Sequence, residues 1–171
     1  NFNTDYLQLN STSAKATDAG GTVFVSAPTS TVIGASSSAA SGKENIKYVA
    51  YCFRSIQGYS KIGSYTGNGN TDGPFVYTGF KPAWVMVKES SGTGQWRMRD
   101  NKRSTVNPVG VVLYANGSNA EATEDNVDFL SNGFKVRTSG AENNGNGDTY
   151  VYMAFAEHPF VSSKGVPTTA R

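Results

Sequence analysis

The hydrophobic residues of this chain fall into short runs separated by clusters of Gly, Asn, Ser and Asp. Short runs rich in Val, Phe and Tyr between turn-forming residues are typical of β-strands, and a spacing of about 8–15 residues favours a sandwich or jelly roll over alternating β-α units. Two of the runs are continuously apolar, as in strands covered on both faces, so Cys52 is expected to be buried. The pattern predicts strands at Tyr48–Phe53, Phe75–Phe80, Ala83–Glu89, Gln95–Asp100, Gly110–Ala115, Val127–Leu130, Phe134–Thr138 and Thr149–Glu157.

The segments between these strands carry turn signals. Five Asn-Gly pairs interrupt the chain, and Asn-Gly favours the positive φ angles of type I′ turns. The pair Asn132-Gly133 predicts a tight hairpin. The Gly-rich residues 63–73 predict a loop, residues 35–41 a flexible loop, and residues 119–126 two helical turns at most.

A sequence repeat links the two ends of the chain. Residues 7–18 match residues 113–124 at a shift of 106, and residues 48–53 match residues 150–155 at a shift of 102. The common order of the two matches predicts an internal repeat.

The repeat predicts the domain organisation. Residues 1–53 are expected to be a half-repeat that contributes strands, and residues 54–171 one complete β-sandwich unit with a C-terminal tail. The first residue is Asn1, so we expect an excerpt that begins inside a tandem array. A sheet that is completed by only half a unit leaves an open edge, and such edges pair with other chains. We therefore expect a homo-oligomer.

Composition narrows the functional classes. Gly, Ser, Thr and Asn account for 69 of the 171 residues, and only 16% are charged, which disfavours a helical bundle. The net charge of +2 gives no electrostatic case for nucleic acid. No apolar run approaches a membrane span of about 18 residues. One Cys and one His exclude an internal disulfide and zinc sites with several His or Cys ligands.

Five sequence motifs, in this order along the chain, suggest a family: YVAYCF, GYSKIGSYTGNGNTDGPFVYTGFKPAWVMVK, LYANGSNAEAT, FLSNGFKVRTSG and TYVYMAFAEHPF. From Leu7 to Arg171 the chain resembles a repeat-bearing domain of tailed-bacteriophage virion proteins, common in marine and cyanobacterial phage genomes. The resemblance implies a location on the virion surface, outside the cell. It carries over no established chemistry.

Two regions are candidate binding sites, because loops that carry polar groups beside aromatic rings often recognise ligands. We expect glycan contacts there, although a plain turn and a charged edge strand are the alternative interpretations. In the second region, Trp96 and Met98 are expected on the buried face and the arginines on the exposed face. The candidates are Tyr65, Asn68, Asn70, Asp72, Trp96, Arg97, Arg99 and Arg103.

Cofactors and catalysis have little support. Calcium could bind at Asp72 or at Glu121–Asp128 through carboxylate oxygens, but a turn and a solvated face are the favoured interpretations. His158 is expected on the surface after the last strand. Glycoside hydrolysis needs a carboxylate pair across a cleft, and the candidate acids lie on different segments: Asp100, Asp125, Asp128 and Glu157.

The leading hypothesis is therefore a non-enzymatic virion surface protein, a tail fibre, spike or appendage domain that recognises a host-surface glycan or receptor. The alternative is a structural role as a capsid decoration or cement protein, or as a filament-forming subunit. In that alternative, residues 1–53 would join neighbouring copies by strand exchange. Both hypotheses predict contacts with copies of the chain and with other virion proteins, without nucleic acid and without membrane insertion.

Overall fold

A computed structural model describes residues 5–18, 23–26, 29–37, 41–124 and 126–159. Within these ranges nearly all regular structure is antiparallel strand. The elements, in chain order, are β1 (Asp5–Tyr6), β2 (Ala16–Thr17), β3 (Phe24–Ser26), β4 (Gly34–Ala35), β5 (Ser60–Thr66), β6 (Phe75–Tyr77), β7 (Pro82–Glu89), β8 (Arg97–Asp100), β9 (Val111–Tyr114), β10 (Ala122–Thr123), β11 (Val127–Leu130), β12 (Gly133–Val136), α1 (Ala141–Asn144) and β13 (Thr149–Ala156).

The largest sheet has six strands in the order β10-β9-β8-β7-β13-β5. Its most extensively paired strand is β13, which pairs along its length with β5 on one side and with β7 on the other. Side chains alternate across β13, so Tyr150, Tyr152, Ala154 and Ala156 are buried while the intervening residues are partly covered. This alternation gives the sheet one face that points into the hydrophobic core.

A three-stranded sheet, β11-β12-β6, contributes the rest of that core. Phe134 and Val136 of β12 are fully buried and belong to the same cluster as Tyr150 and Tyr152 of the large sheet. The Tyr152 and Phe134 rings meet edge to face with centroids 5.4 Å apart. The hydrophobic cluster therefore joins the two sheets.

The N-terminal part of the chain forms two small antiparallel pairs, β1-β2 and β3-β4. In the first, Tyr6 lies opposite Ala16. In the pair β9-β10, Val112 lies opposite Ala122. These two partner sets are related by the same shift of 106 residues that relates the matching sequences.

The prediction of an all-β antiparallel fold is confirmed, and seven of the eight predicted strands correspond to observed strands. The finer description as a sandwich or jelly roll and the division at residues 53 and 54 stay predictions. The hairpin between β11 and β12 is also present, with Leu130 opposite Gly133.

Several local predictions were wrong. Residues 48–53 belong to no strand and are exposed, and so is Cys52. The first part of the Gly-rich stretch 63–73 lies in β5, because Tyr65 and Gly63 pair with β13. Residues 122–123 form β10 and not a helical turn. Residues 38–40 of the predicted flexible loop lie outside the described ranges.

The turn prediction was also wrong in detail. None of the Asn residues in the five Asn-Gly pairs has a positive φ, so none of these pairs is a type I′ turn. At Asn132-Gly133 the two turn residues are Ser131 and Asn132, and Gly133 already belongs to β12. A Cβ at Gly133 would overlap the carbonyl oxygen of Val76, so close strand approach explains this glycine.

Candidate functional site

The loop of residues 67–73 is held by a buried amide from α1. The Oδ1 atom of Asn144 accepts from the backbone N–H of Asn68 at 2.7 Å, and its Nδ2 atom donates to Asn68 Oδ1 at 2.9 Å and to the carbonyl of Asn70 at 2.7 Å. Within the loop, the side chain of Asn70 accepts a hydrogen bond from a backbone group two residues later, the N–H of Asp72, at 2.9 Å. The predicted loop residues are therefore brought together by one side chain.

Asp72 lies near the end of this loop and pairs with Lys135 of β12. The distance from Lys135 Nζ to Asp72 Oδ1 is 2.7 Å, and the same Nζ donates to the carbonyl of Gly73 at 2.7 Å. The hydrogen bond from Lys135 lowers the pKa of Asp72. Asn68, Asn70 and Asp72 remain exposed residues.

Tyr65 does not belong to this exposed loop. Its ring stacks on Tyr150 with centroids 4.9 Å apart and planes inclined by 13°, and its hydroxyl donates to the carbonyl of Asn143 at 2.8 Å. Burial raises its pKa far above the usual range of tyrosine. Tyr65 is therefore a packing residue on the core side of β5 and not a residue of the exposed loop, and its role in glycan binding stays a prediction.

The arginines of β8 lie on the core side of the large sheet and form a polar network. Arg99, 1% exposed, donates from Nη2 to Glu124 Oε2 at 2.6 Å and to Asn126 Oδ1 at 2.8 Å. Arg97 Nε is 3.3 Å from the same Glu124 oxygen, and Tyr114 donates its hydroxyl proton to Glu124 Oε1 at 2.9 Å. Burial lowers the pKa of Arg99, and the charge of Glu124 opposes that shift.

The predicted orientation of β8 was therefore wrong. Arg97 and Arg99 lie opposite Val87 and Val85 of β7, which are core residues, while Met98 lies on the other face opposite Met86. The carboxylate of Glu124 compensates the positive charges of Arg97 and Arg99, and the ring of Tyr114 lies against the guanidinium of Arg97. Arg97 and Arg99 have a structural role in this arrangement.

Trp96 and Arg103 are also engaged by neighbouring residues. The indole Nε1 of Trp96 donates to the carbonyl of Gln8 at 3.0 Å, which ties the N-terminal region to the large sheet. Arg103 Nε contacts Asp100 Oδ2 at 2.6 Å. Burial alone would raise the pKa of Asp100, but hydrogen bonds from Arg103 and Lys102 outweigh burial and lower it. The second candidate region is thus not a continuous exposed patch.

The acidic stretch at residues 121–128 is divided among separate contacts. Glu124 belongs to the arginine network, and Asp128 accepts from Arg137 Nε at 2.6 Å. Asp125 lies outside the described residues. Among the residues that the structure describes, no group of three or more His, Cys, Asp or Glu side chains could hold a metal ion.

The other groups considered for chemistry are also separate. Glu157 Oε2 is 2.7 Å from Lys81 Nζ, and His158 is exposed after β13, as expected. A cleft of about 80 Å³ near the Asn107-Pro108 bond is lined by Lys81, Asn101 and Val109 among others. This volume is well below the roughly 300–1,000 Å³ typical of small-molecule pockets.

The least expected surface is formed by residues 46–53, here called the exposed segment. Val49 is 79% exposed and Tyr51 82% exposed, and Ile46 and Phe53 are also largely open to solvent. Several large apolar side chains in a run of eight residues form an unusual patch on a soluble surface.

A family model described as a domain of unknown function, DUF7483, matches residues 1–159. The chain belongs to the DUF7483 family. No curated protein and no solved structure shows a significant match to it. This DUF7483 chain has, in its described part, no helix long and apolar enough to cross a membrane.

Two functional features of the DUF7483 chain were not predicted from the sequence. The role of Asn144 leaves no local signal, because its loop partners lie 74–76 positions away along the chain. Glu124 was noted only as part of an acidic run. The alternation of arginines with apolar residues in β8 was visible, but the orientation of the strand depends on Glu124, which directly follows β10.

Proposed function

We propose that this chain is a non-enzymatic structural subunit of a virion surface, a decoration or filament-forming protein that associates with copies of itself. The observation that carries the proposal is the exposed segment. Its apolar side chains are exposed, whereas the two larger sheets bury a shared hydrophobic core, and such exposed patches mark interaction surfaces. This corresponds to the structural alternative among the two hypotheses.

The internal use of the candidate chemical groups supports a structural role. Arg99 and Arg97 form ion pairs with Glu124 inside the fold, and Tyr65 stacks in the core. These groups stabilise the module rather than facing a substrate. We further propose that the six-stranded and three-stranded sheets are the two layers of a β-sandwich, since one hydrophobic cluster joins them.

The virion location rests on the resemblance of the sequence motifs alone. Its test is mass spectrometry of purified particles from a phage that encodes this chain, followed by antibody labelling in electron micrographs. Labelling on the capsid shell or along a filament supports the proposal. Absence of the chain from intact particles contradicts it.

Self-association is tested in solution by sedimentation velocity between 1 and 100 μM, a range of the order in which weak oligomers form. We expect the sedimentation coefficient to rise with concentration. A strictly monomeric mass over the whole range would contradict the proposed assembly.

Recognition of a host glycan is a second candidate function, favoured by the loop of residues 67–73. Asn68, Asn70 and Asp72 are exposed there while Asn144 fixes the backbone, and rigidly held polar loops suit ligand binding. Pre-incubation of susceptible cells with the purified chain should then slow phage adsorption, and Asn70→Ala should weaken the effect. Unchanged adsorption at high concentration would contradict this candidate.

A further inference from the structure

The five Asn-Gly pairs of the chain share one intrinsic reactivity. In such a pair the backbone nitrogen of the glycine can attack the side-chain amide carbon of the asparagine, and glycine, which has no Cβ, leaves that nitrogen open to approach. The reaction needs a mobile asparagine side chain and a glycine nitrogen that is free to move. The five identical dipeptides lie in different settings, so the structure decides which of them reacts. Their asparagines are Asn68, Asn116, Asn132, Asn144 and Asn146.

Two pairs, Asn68-Gly69 and Asn144-Gly145, hold each other in place. Asn144 Nδ2 donates to Asn68 Oδ1 at 2.9 Å, and Asn68 Nδ2 donates to the carbonyl of Asp72 at 3.0 Å. The nitrogen of Gly69 donates to the carbonyl of Asn144 at 3.1 Å. Asn144 and Gly145 are both buried. Attack at either pair would require several of these hydrogen bonds to open together, which protects both asparagines.

Two further pairs, Asn116-Gly117 and Asn132-Gly133, are held by the sheets. Asn116 Oδ1 accepts from the backbone N–H of Trp96 at 2.8 Å, which fixes its amide beside β8. Asn132 is exposed, but Gly133 is buried in β12, within the hairpin that β12 forms with β11. Its nitrogen can turn toward the Asn132 side chain only when the hairpin opens. Local opening therefore limits the reaction at both pairs.

The turn between α1 and β13 differs from these four settings. Of the five pairs, all of which the structure describes, Asn146-Gly147 alone has both residues exposed. Within the described residues no hydrogen bond holds the Asn146 side chain. Gly147 has a φ of 83°, and a Cβ built on it would meet no atom within 4 Å. Its N–H donates to the carbonyl of Gly67 at 3.0 Å, so one hydrogen bond between a turn and a loop has to open before attack.

We propose that Asn146 is a site of spontaneous deamidation, with Gly147 as the nucleophile and water as the second reactant. The nitrogen of Gly147 loses its proton and bonds to Asn146 Cγ, the Cγ–Nδ2 bond breaks, and the amide nitrogen leaves as ammonia. Water then opens the resulting imide ring at either carbonyl, which gives aspartate or isoaspartate. The inference is independent of the proposed self-association, because Asn146 lies outside the exposed segment.

The modification would act on the loop of residues 67–73. A Cβ built at Gly69 would lie 2.8 Å from Asn146 Cβ, so Asn146 packs against this loop. Isoaspartate adds one carbon to the main chain before Gly147 and displaces the nitrogen that donates to Gly67. The product also carries a new negative charge two residues before Asp148. We therefore expect deamidation to loosen the loop and to make its surroundings more acidic.

The site is tested by incubating the folded chain in a mildly alkaline buffer and mapping its peptides by mass spectrometry, which detects replacement of the amide NH2 by OH. Deamidation at Asn146 should be at least about tenfold faster than at Asn144, where buried structure has to open first. Asn132-Gly133 is the matched internal control. In urea the five pairs should react at comparable rates. Equal rates in the folded chain, faster reaction at Asn132, or an inert Asn146 would overturn the proposal.

A variant tests the effect on the loop. Asn146→Ser removes the reacting amide at an exposed position and should keep the fold, which circular dichroism checks. After the same incubation, amide exchange in residues 67–73 should be faster in the parent chain and unchanged in the variant. If the incubated parent and the incubated variant exchange equally, modification at residue 146 does not act on the loop, and that part of the inference is refuted.

Discussion

Removal of the Glu124 carboxylate should be strongly destabilising. In Glu124→Ala the Arg99 side chain, 2% exposed, loses the oxygen 2.6 Å from its Nη2 atom, and Arg97 loses its carboxylate partner as well. A buried cation without its partner costs about 3–5 kcal/mol. The Asn126 amide remains as an acceptor for Arg99 at 2.8 Å, which places the expected loss at the lower end, about 3 kcal/mol.

The assay is urea unfolding at neutral pH, followed by circular dichroism and tryptophan fluorescence. Glu121→Ala is the matched control, because it removes an exposed acid three positions earlier and should change stability by less than about 0.5 kcal/mol. Arg99→Met combined with Glu124→Ala should recover part of the loss, since the orphaned charge is gone. If Glu124→Ala costs less than 1 kcal/mol, the arginines are solvated in solution and the reasoning fails.

Three further changes test other parts of the structure. Asn144→Ala should cost about 1–3 kcal/mol and speed amide exchange in the loop of residues 67–73, as measured by mass spectrometry, because backbone groups of the loop lose their hydrogen bonds to the buried Asn144 amide. Gly133→Ala should cost about 1–3 kcal/mol in urea unfolding, since its Cβ would overlap the Val76 carbonyl. Burial raises the pKa of Tyr150 to about 12. The pKa of tyrosine in the unfolded chain is about 10. The contribution of the neutral Tyr150 hydroxyl to the free energy of unfolding is therefore fully present below about pH 10 and is lost as the pH rises to about 12. The urea midpoint should fall more steeply there than in Tyr150→Phe.

Seven of the strands between residues 75 and 156, all except β10, could be predicted because hydrophobic runs and turn residues are local signals. Val127–Leu130 has the same limits in sequence and structure, and the ends of β7 differ by one residue at most. β5 was missed because its Ser, Gly and Thr residues resemble a loop. Its pairing with β13 supplies the stabilisation that its own composition lacks.

The candidate sites were harder to predict because their residues depend on partners that are distant in the sequence. Arg99 alternates with apolar residues in the way that an exposed face does, and only Glu124, 25 positions later, makes the buried orientation stable. Tyr65 was placed at a loop border, whereas its stacking partner Tyr150 lies in β13. The alternation of residue types along β8 predicts that the two faces of the strand differ. Which face is buried depends on whether a charged side chain finds a partner of opposite charge inside the fold.

The wrong prediction at residues 48–53 follows from the same principle. Strand propensity describes how well a side chain fits a paired, half-covered surface, and it does not supply the partner. The matching residues 150–155 lie between two strands, whereas residues 48–53 belong to no strand in the described part of the chain and are exposed. Apolar composition therefore predicts that a segment can form a strand, while the contacts available to it decide whether the strand forms. At residues 48–53 the outcome is an exposed apolar segment, a feature that marks interaction surfaces.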